Sequence, residues 1–178
     1  MPGIGTTTRR FLRRRTRTRR GALILEMVIV LPIMLIALLA IVQFGFYFEN
    51  MQQVSLAARI AAEVASQTPN LPDADGDPVP ENVRRAVEQH LASCGISGVA
   101  IRLEHNTGGE PVVLRYPTVD SGLSLTKLDD PPPGRYVRAT VVVPTCELMP
   151  DALSVVGLNL AGPDKRTAFT QTFRYEID

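Results

Sequence analysis

From Ala22 to Phe48 the chain runs apolar for 27 residues, interrupted by strongly polar side chains only at Glu26 and Gln43. A helix needs about 20 apolar residues to cross a bilayer, so the run predicts a transmembrane helix over 22–48 with length to spare for tilt. Pro32 lies inside it. Proline removes a backbone donor, so the helix is expected to loosen or kink near Val28, which membrane helices tolerate. The helical pattern does not stop at Phe48. Residues 49–67 are good helix formers, rich in alanine at 57, 58, 61, 62 and 65, with no proline or glycine before Pro69. One helix from Ala22 to Gln67 would hold 46 residues and measure about 69 Å at 1.5 Å per residue. Its alanines either admit a close neighbour or simply supply helix propensity. Arg59 and Glu63 stand at the spacing of a surface ion pair.

Residues 68–80 break the pattern. Pro69, Pro72, Pro78 and Pro80 with Asp73, Asp75 and Asp77 predict a linker. The string Asp73-Ala74-Asp75-Gly76-Asp77 has the look of a calcium loop. Setting Gly76 at the glycine of such a loop puts Leu71 at the first ligand position and Asn82 at the last, so an acidic solvated loop is the better reading. A second helix fits 81–93, where Val83, Ala86, Val87, His90 and Leu91 share one face. His90 belongs to that stripe and is not read as a ligand.

The period then changes to two. Val99, Ile101 and Leu103 alternate with Arg102 and Glu104. Val112, Leu114 and Tyr116 follow a hairpin loop at 106–111. Val137, Ala139, Val141 and Val143 make a third run, and Phe169, Phe173, Tyr175 and Ile177 a fourth. Each run has one apolar and one polar face, which predicts an antiparallel sheet covered on one side. The alanine-rich outer half of the first helix is the natural cover, with helix 81–93 beside it. Residues 118–134 read as irregular, and 148–158 as either a short helical turn or an apolar loop. The expected fold class is α+β: a long N-terminal transmembrane helix continuing into a head with a second helix and about four antiparallel strands.

Charge adds an orientation. Eight arginines fall in the first twenty residues with no acid among them, while everything after Arg20 nets −7. A basic block beside an apolar span follows the positive-inside rule. It places residues 1–21 in the cytoplasm as a leader, 22–48 in the membrane, 49–67 beyond it as continuing helix, and 81–178 outside as the head. Nucleic acid is a poor partner for the block, which is short and lacks interleaved aromatics. A cleaved secretory signal would have an apolar core of about 7–15 residues, shorter than this one. Thr8-Arg9-Arg10-Phe11-Leu12 hints at a twin-arginine signal but lacks its spacer, and a mitochondrial presequence would not run straight into a full span. A retained anchor fits best.

Chemistry is sparse. Cys94 and Cys146 both fall outside the cytoplasm on this reading, where a disulfide can persist; the alternative is two unpaired core thiols. With two histidines and no nucleophile–base spacing, no catalytic residue, metal site or cofactor is expected. The string Gly108-Gly109-Glu110-Pro111 lies in the hairpin loop and lacks the aromatic that would suggest a cyclase motif.

One constellation does carry meaning. A basic block, Gly21, four apolar residues, Glu26 and a long apolar helix resemble a type IV prepilin signal. That resemblance implies cleavage by a prepilin peptidase between Gly21 and Ala22. It also implies a Glu26 carboxylate that pairs with the new amino terminus of a neighbouring subunit. Glu26 taken alone is equally compatible with snorkelling back to water, only four residues into the span.

The longer pattern is Arg20-Gly21-Ala22, Glu26, Leu31-Pro32, Ile41-Val42-Gln43-Phe44-Gly45 and Ala57-Ala58-Arg59 with Ala61. It resembles TadE-like proteins, the pseudopilins of tight-adherence (Flp) pilus systems. Gln43 stands where an acid is common in them and Met27 where an aromatic is common. The resemblance implies a non-enzymatic, single-pass protein of the bacterial inner membrane. Its expected partners are the lipid bilayer, the prepilin peptidase, other pilins or pseudopilins and the assembly platform. The alternative is an unprocessed, membrane-anchored binding domain.

Overall fold

The computed structural model describes residues 16–106, 109–118, 133–158, 162 and 165–175. Helix α1 runs Thr16–Ser66, α2 Glu81–Ser93, and the strands are β1 Ala100–Asn106, β2 Val112–Tyr116, β3 Tyr136–Pro144 and β4 Arg166–Arg174. Two short 3-10 helices, Thr145–Glu147 and Ala152–Val156, lie between β3 and β4. The ambiguous stretch 148–158 is thus part helical turn and part loop. The architecture is α+β, as the change of period predicts. Residues 118–134 of the irregular stretch and the tail past Tyr175 fall largely outside the described residues.

Helix α1 begins earlier than Ala22, within the arginine block, and passes Pro32 without ending. Its two halves differ. From Gly21 to Leu39 the residues are exposed, whereas Val54, Ala57, Ala58, Ala61, Ala62 and Ala65 are wholly buried. Those six fall at i, i+3 and i+4 spacing, one stripe of the helix. The alanines are therefore packing residues: their small side chains let the head come down onto the helix. Arg59 and Glu63, though correctly spaced, are both exposed and form no ion pair.

Helix α2 opens with Glu81 in its first turn, favourable against the helix dipole. It closes with Gly95 at φ 74°. The Gly95 amide donates to the Ala92 carbonyl and the Ile96 amide to that of Leu91, both at 3.0 Å. This is a Schellman stop, and the left-handed backbone it needs is what glycine supplies. Val83, Val87 and Leu91 point into the core. His90 is half-buried on that stripe, with its Nε2 unpartnered. Arg84 reaches sideways: its guanidinium sits 5.1 Å from the centre of the Tyr116 ring, tying α2 to the end of β2.

The sheet order is β2-β1-β3-β4, antiparallel throughout. Ile101, Leu103, Leu114, Val137, Ala139, Val141 and Val143 face α1 and α2 in one core, with Phe169 and Phe173 half-buried at its margin. On β4 the outward positions are exposed, as expected of a sheet covered on one side. On β1 they are not. Arg102 and Glu104 are buried, and so are Val113, Tyr136 and Val142 on the same face. The expectation that the polar faces of all four strands meet solvent is corrected for β1 and much of β3. A carboxylate and a guanidinium can leave water together when each satisfies the other, and here they do.

Candidate functional site

Gly21, Ala22 and Glu26 lie on consecutive turns of α1, all exposed. A Cβ at Gly21 would meet nothing within 4 Å. Glycine inside a helix costs about 1 kcal/mol relative to alanine, so packing within the chain gives no reason for it. Glu26 has no partner among the described residues. Among those residues α1 is the one helix long and apolar enough to cross a membrane.

The exposed stretch ends at Gln43, which is fully buried. Its Oε1 accepts the Leu153 amide at 3.0 Å and its Nε2 lies 3.6 Å from the Met149 sulfur. Two turns on, Asn50 donates to the Leu148 carbonyl at 2.8 Å. The 3-10 segment after β3 is thereby pinned to the helix where the apolar run was expected to be still in lipid. Gln43, read as a departure from an acidic consensus, is instead the hydrogen-bonding socket for the base of the head.

At the opposite edge, residues 75–78 dock on β2. The Val113 amide donates to the Asp75 carboxylate at 2.9 Å, the Gly76 amide to the Val113 carbonyl at 2.8 Å and the Arg115 amide to the Asp77 carbonyl at 3.0 Å. The 68–80 stretch therefore covers a strand edge that would otherwise expose a row of unpaired amides. The reading of 73–77 as a freely solvated loop is corrected to this extent. Among the described residues no group of three or more His, Cys, Asp or Glu is placed to hold a metal.

Two buried polar groups sit deeper. Tyr136 donates to Glu104 Oε1 at 2.9 Å, and Arg102 Nη2 lies 3.0 Å from Glu104 Oε2. Burial, with the bond to Glu104 next, pushes the Tyr136 hydroxyl up to about 12. His105 occupies the apolar face, its Nε2 bonded to the Pro72 carbonyl at 2.9 Å and its Nδ1 unpartnered. Desolvation lowers its pKa against the opposing pull of the Pro72 carbonyl and Asp73. Periodicity could not find these residues, because charge and an imidazole at alternating positions look the same whether solvated or paired.

Cys94 is half-buried and Cys146 exposed, and both are free. The segments carrying them do meet. Ser97 Oγ donates to the Glu147 carboxylate at 2.8 Å, and a Cβ on Gly98 would lie 3.5 Å from the Pro144 ring.

Residues 21–63 match the TadE-like protein family. The match begins at Gly21 and ends within the buried alanine stripe, so the TadE-like segment covers both the exposed span and most of the helix that the head packs on. No curated protein and no solved structure matches the chain.

Proposed function

We propose that this chain is a membrane-anchored, non-enzymatic pseudopilin of a tight-adherence-type pilus or a related secretion machine. The observation that carries this reading is the arrangement at the start of the TadE-like segment: an exposed glycine that packs against nothing among the described residues, and five residues on an exposed carboxylate with no partner among them. In the proposed mechanism a prepilin peptidase in the bacterial inner membrane cuts between Gly21 and Ala22. The cytoplasmic arginine leader is lost and α1 stays in the bilayer with the head outside. The new Ala22 ammonium of one subunit then neutralises Glu26 of the next. A carboxylate costs about 2.5–3.5 kcal/mol at the bilayer centre and less toward its edge; a paired ammonium offsets that cost only when subunits associate.

The test is mass spectrometry of the protein extracted from its host membrane. The mature chain is expected to begin at Ala22. Gly21→Leu should abolish the cut, and Glu26→Ala should leave the cut but lose recovery with pilus components. Wild-type protein that retains its leader throughout would refute the pseudopilin reading in favour of an unprocessed anchored domain.

A further inference from the structure

From Gly21 to Val42, exposed throughout except at half-buried Ala40, α1 counts 22 residues, about 33 Å at 1.5 Å per residue. The hydrocarbon core of a bilayer is about 30 Å thick, with headgroup layers adding some 5–7 Å on each side. Gln43, the next residue, is taken up by the head. Just past it, Phe44 and Tyr47 of α1, Thr145 and Met149 below β3, and Lys165 and Arg166 at the start of β4 line an open cavity of about 430 Å³. Phe44 to Tyr47 lie within about 8 Å of the end of the exposed stretch by helix rise, at the level of the headgroups. The lining suits that level: aromatic rings, a thioether, a hydroxyl and two adjacent cations, on a chain that is otherwise acidic beyond its leader. Aromatic side chains concentrate at both membrane–water boundaries, and a lysine or arginine close to an anionic lipid surface is attracted to it.

We infer that this cavity seats the headgroup of an anionic phospholipid from the surrounding bilayer. The phosphate lies against Lys165 and Arg166, and the upper acyl chain runs down the exposed face of α1 past Phe44. The inference rests on reading α1 as a membrane anchor. The bound lipid would keep the base of the head against the leaflet, with the 3-10 segment and the start of β4 on that side.

The full chain is reconstituted into vesicles of phosphatidylcholine with one part in ten phosphatidylglycerol, and lipid association is read by electron spin resonance with spin-labelled forms of each lipid. Wild type is expected to favour the phosphatidylglycerol label. Lys165→Gln/Arg166→Gln should lower that preference by roughly 25-fold, at about fivefold per cation lost. The swap Lys165→Arg/Arg166→Lys should keep it, as should Arg59→Gln elsewhere on the surface. No preference in wild type, or an unchanged preference in the double glutamine variant, would overturn the inference. So would displacement of the label by inorganic phosphate, which would mark a site for a soluble anion. Alkaline carbonate extraction is run beside it: protein that leaves the vesicles would overturn the anchor reading itself, while protein that stays but shows no preference would overturn only the lipid seat.

Discussion

Glu104 gives the sharpest test of the head's unexpected interior. It is fully buried, accepts from Tyr136 at 2.9 Å and lies 3.0 Å from the Arg102 guanidinium, itself only 8 % exposed. Truncating one partner of a buried ion pair typically costs 3–5 kcal/mol, because the surviving charge stays out of water. Arg102 lies nearer the surface than Glu104, so we place Glu104→Ala at the lower end, about 3 kcal/mol. Tyr136→Phe removes one hydroxyl and leaves Glu104 with Arg102, for about 1–2 kcal/mol. The two changes share a partner, so the double variant should fall short of their sum by about 1 kcal/mol. Amide hydrogen exchange on the full chain in detergent micelles reads this locally. A 3 kcal/mol loss speeds exchange through opening of β1 and β3 by roughly a hundredfold. Acceleration below about threefold for Glu104→Ala would refute the claim that this carboxylate sustains the sheet.

His105 sets an acid limit. Its folded pKa is depressed by desolvation, so neutral imidazole is favoured in the fold. Stability is full above about pH 6.5, the unfolded value, and declines as pH falls from there toward the folded one. Thermal melts of the full chain between pH 7.5 and 5 should show that decline in wild type and a flatter profile in His105→Gln; parallel profiles would reject it. Cys94 and Cys146 are free in the structure, on segments that meet through Ser97 and Glu147; we expect oxidation to join them in protein exported to an oxidising compartment, contributing about 2–4 kcal/mol, and two thiols open to alkylation without reductant would reject the bond. On the proposed topology, in which the positive-inside rule puts the arginine block in the cytoplasm, a phosphatase fused after Asp178 should be active. Inactive fusion with intact protein would reverse the orientation.

Much of this fold was legible because two periods are hard to confuse. The 3.6-residue stripe through Val83, Val87 and Leu91 and the alternation through β3 each name an element and its inner face. The strand order was not legible, since alternation says which face is buried and not which strand lies beside which. Nor was the two-sided burial of β1. Arg102 and Glu104 look like solvent positions until their partnership is seen, and Tyr136, which completes it, lies 32 residues away from Glu104. The same reason hid Gln43: one amide in an apolar run looks like a blemish in the span. Its meaning depends on a backbone amide 110 positions later. The candidate site residues Gly21 and Glu26 were named from their spacing and the resemblance it carries, and the structure places both on the exposed part of α1.

Helix α1 belongs at once to the exposed span and to the core of the head, with no break assigned between Gly21 and Ser66. Gln43 and Asn50 fasten the head to it at one end and the alanine stripe along the rest, leaving no joint at which the two parts could turn independently. The molecule is therefore a stiff lever. From Gln43 to Ser66 is about 36 Å of helix by rise. A tilt of about 20°, ordinary for a span longer than its bilayer, would carry the outer end of α1 sideways by about 12 Å and lean the whole sheet with it. On the proposed membrane reading, a thinner bilayer would tilt the rod further and a thicker one would right it, so the lean of the head would become a mechanical reading of bilayer thickness.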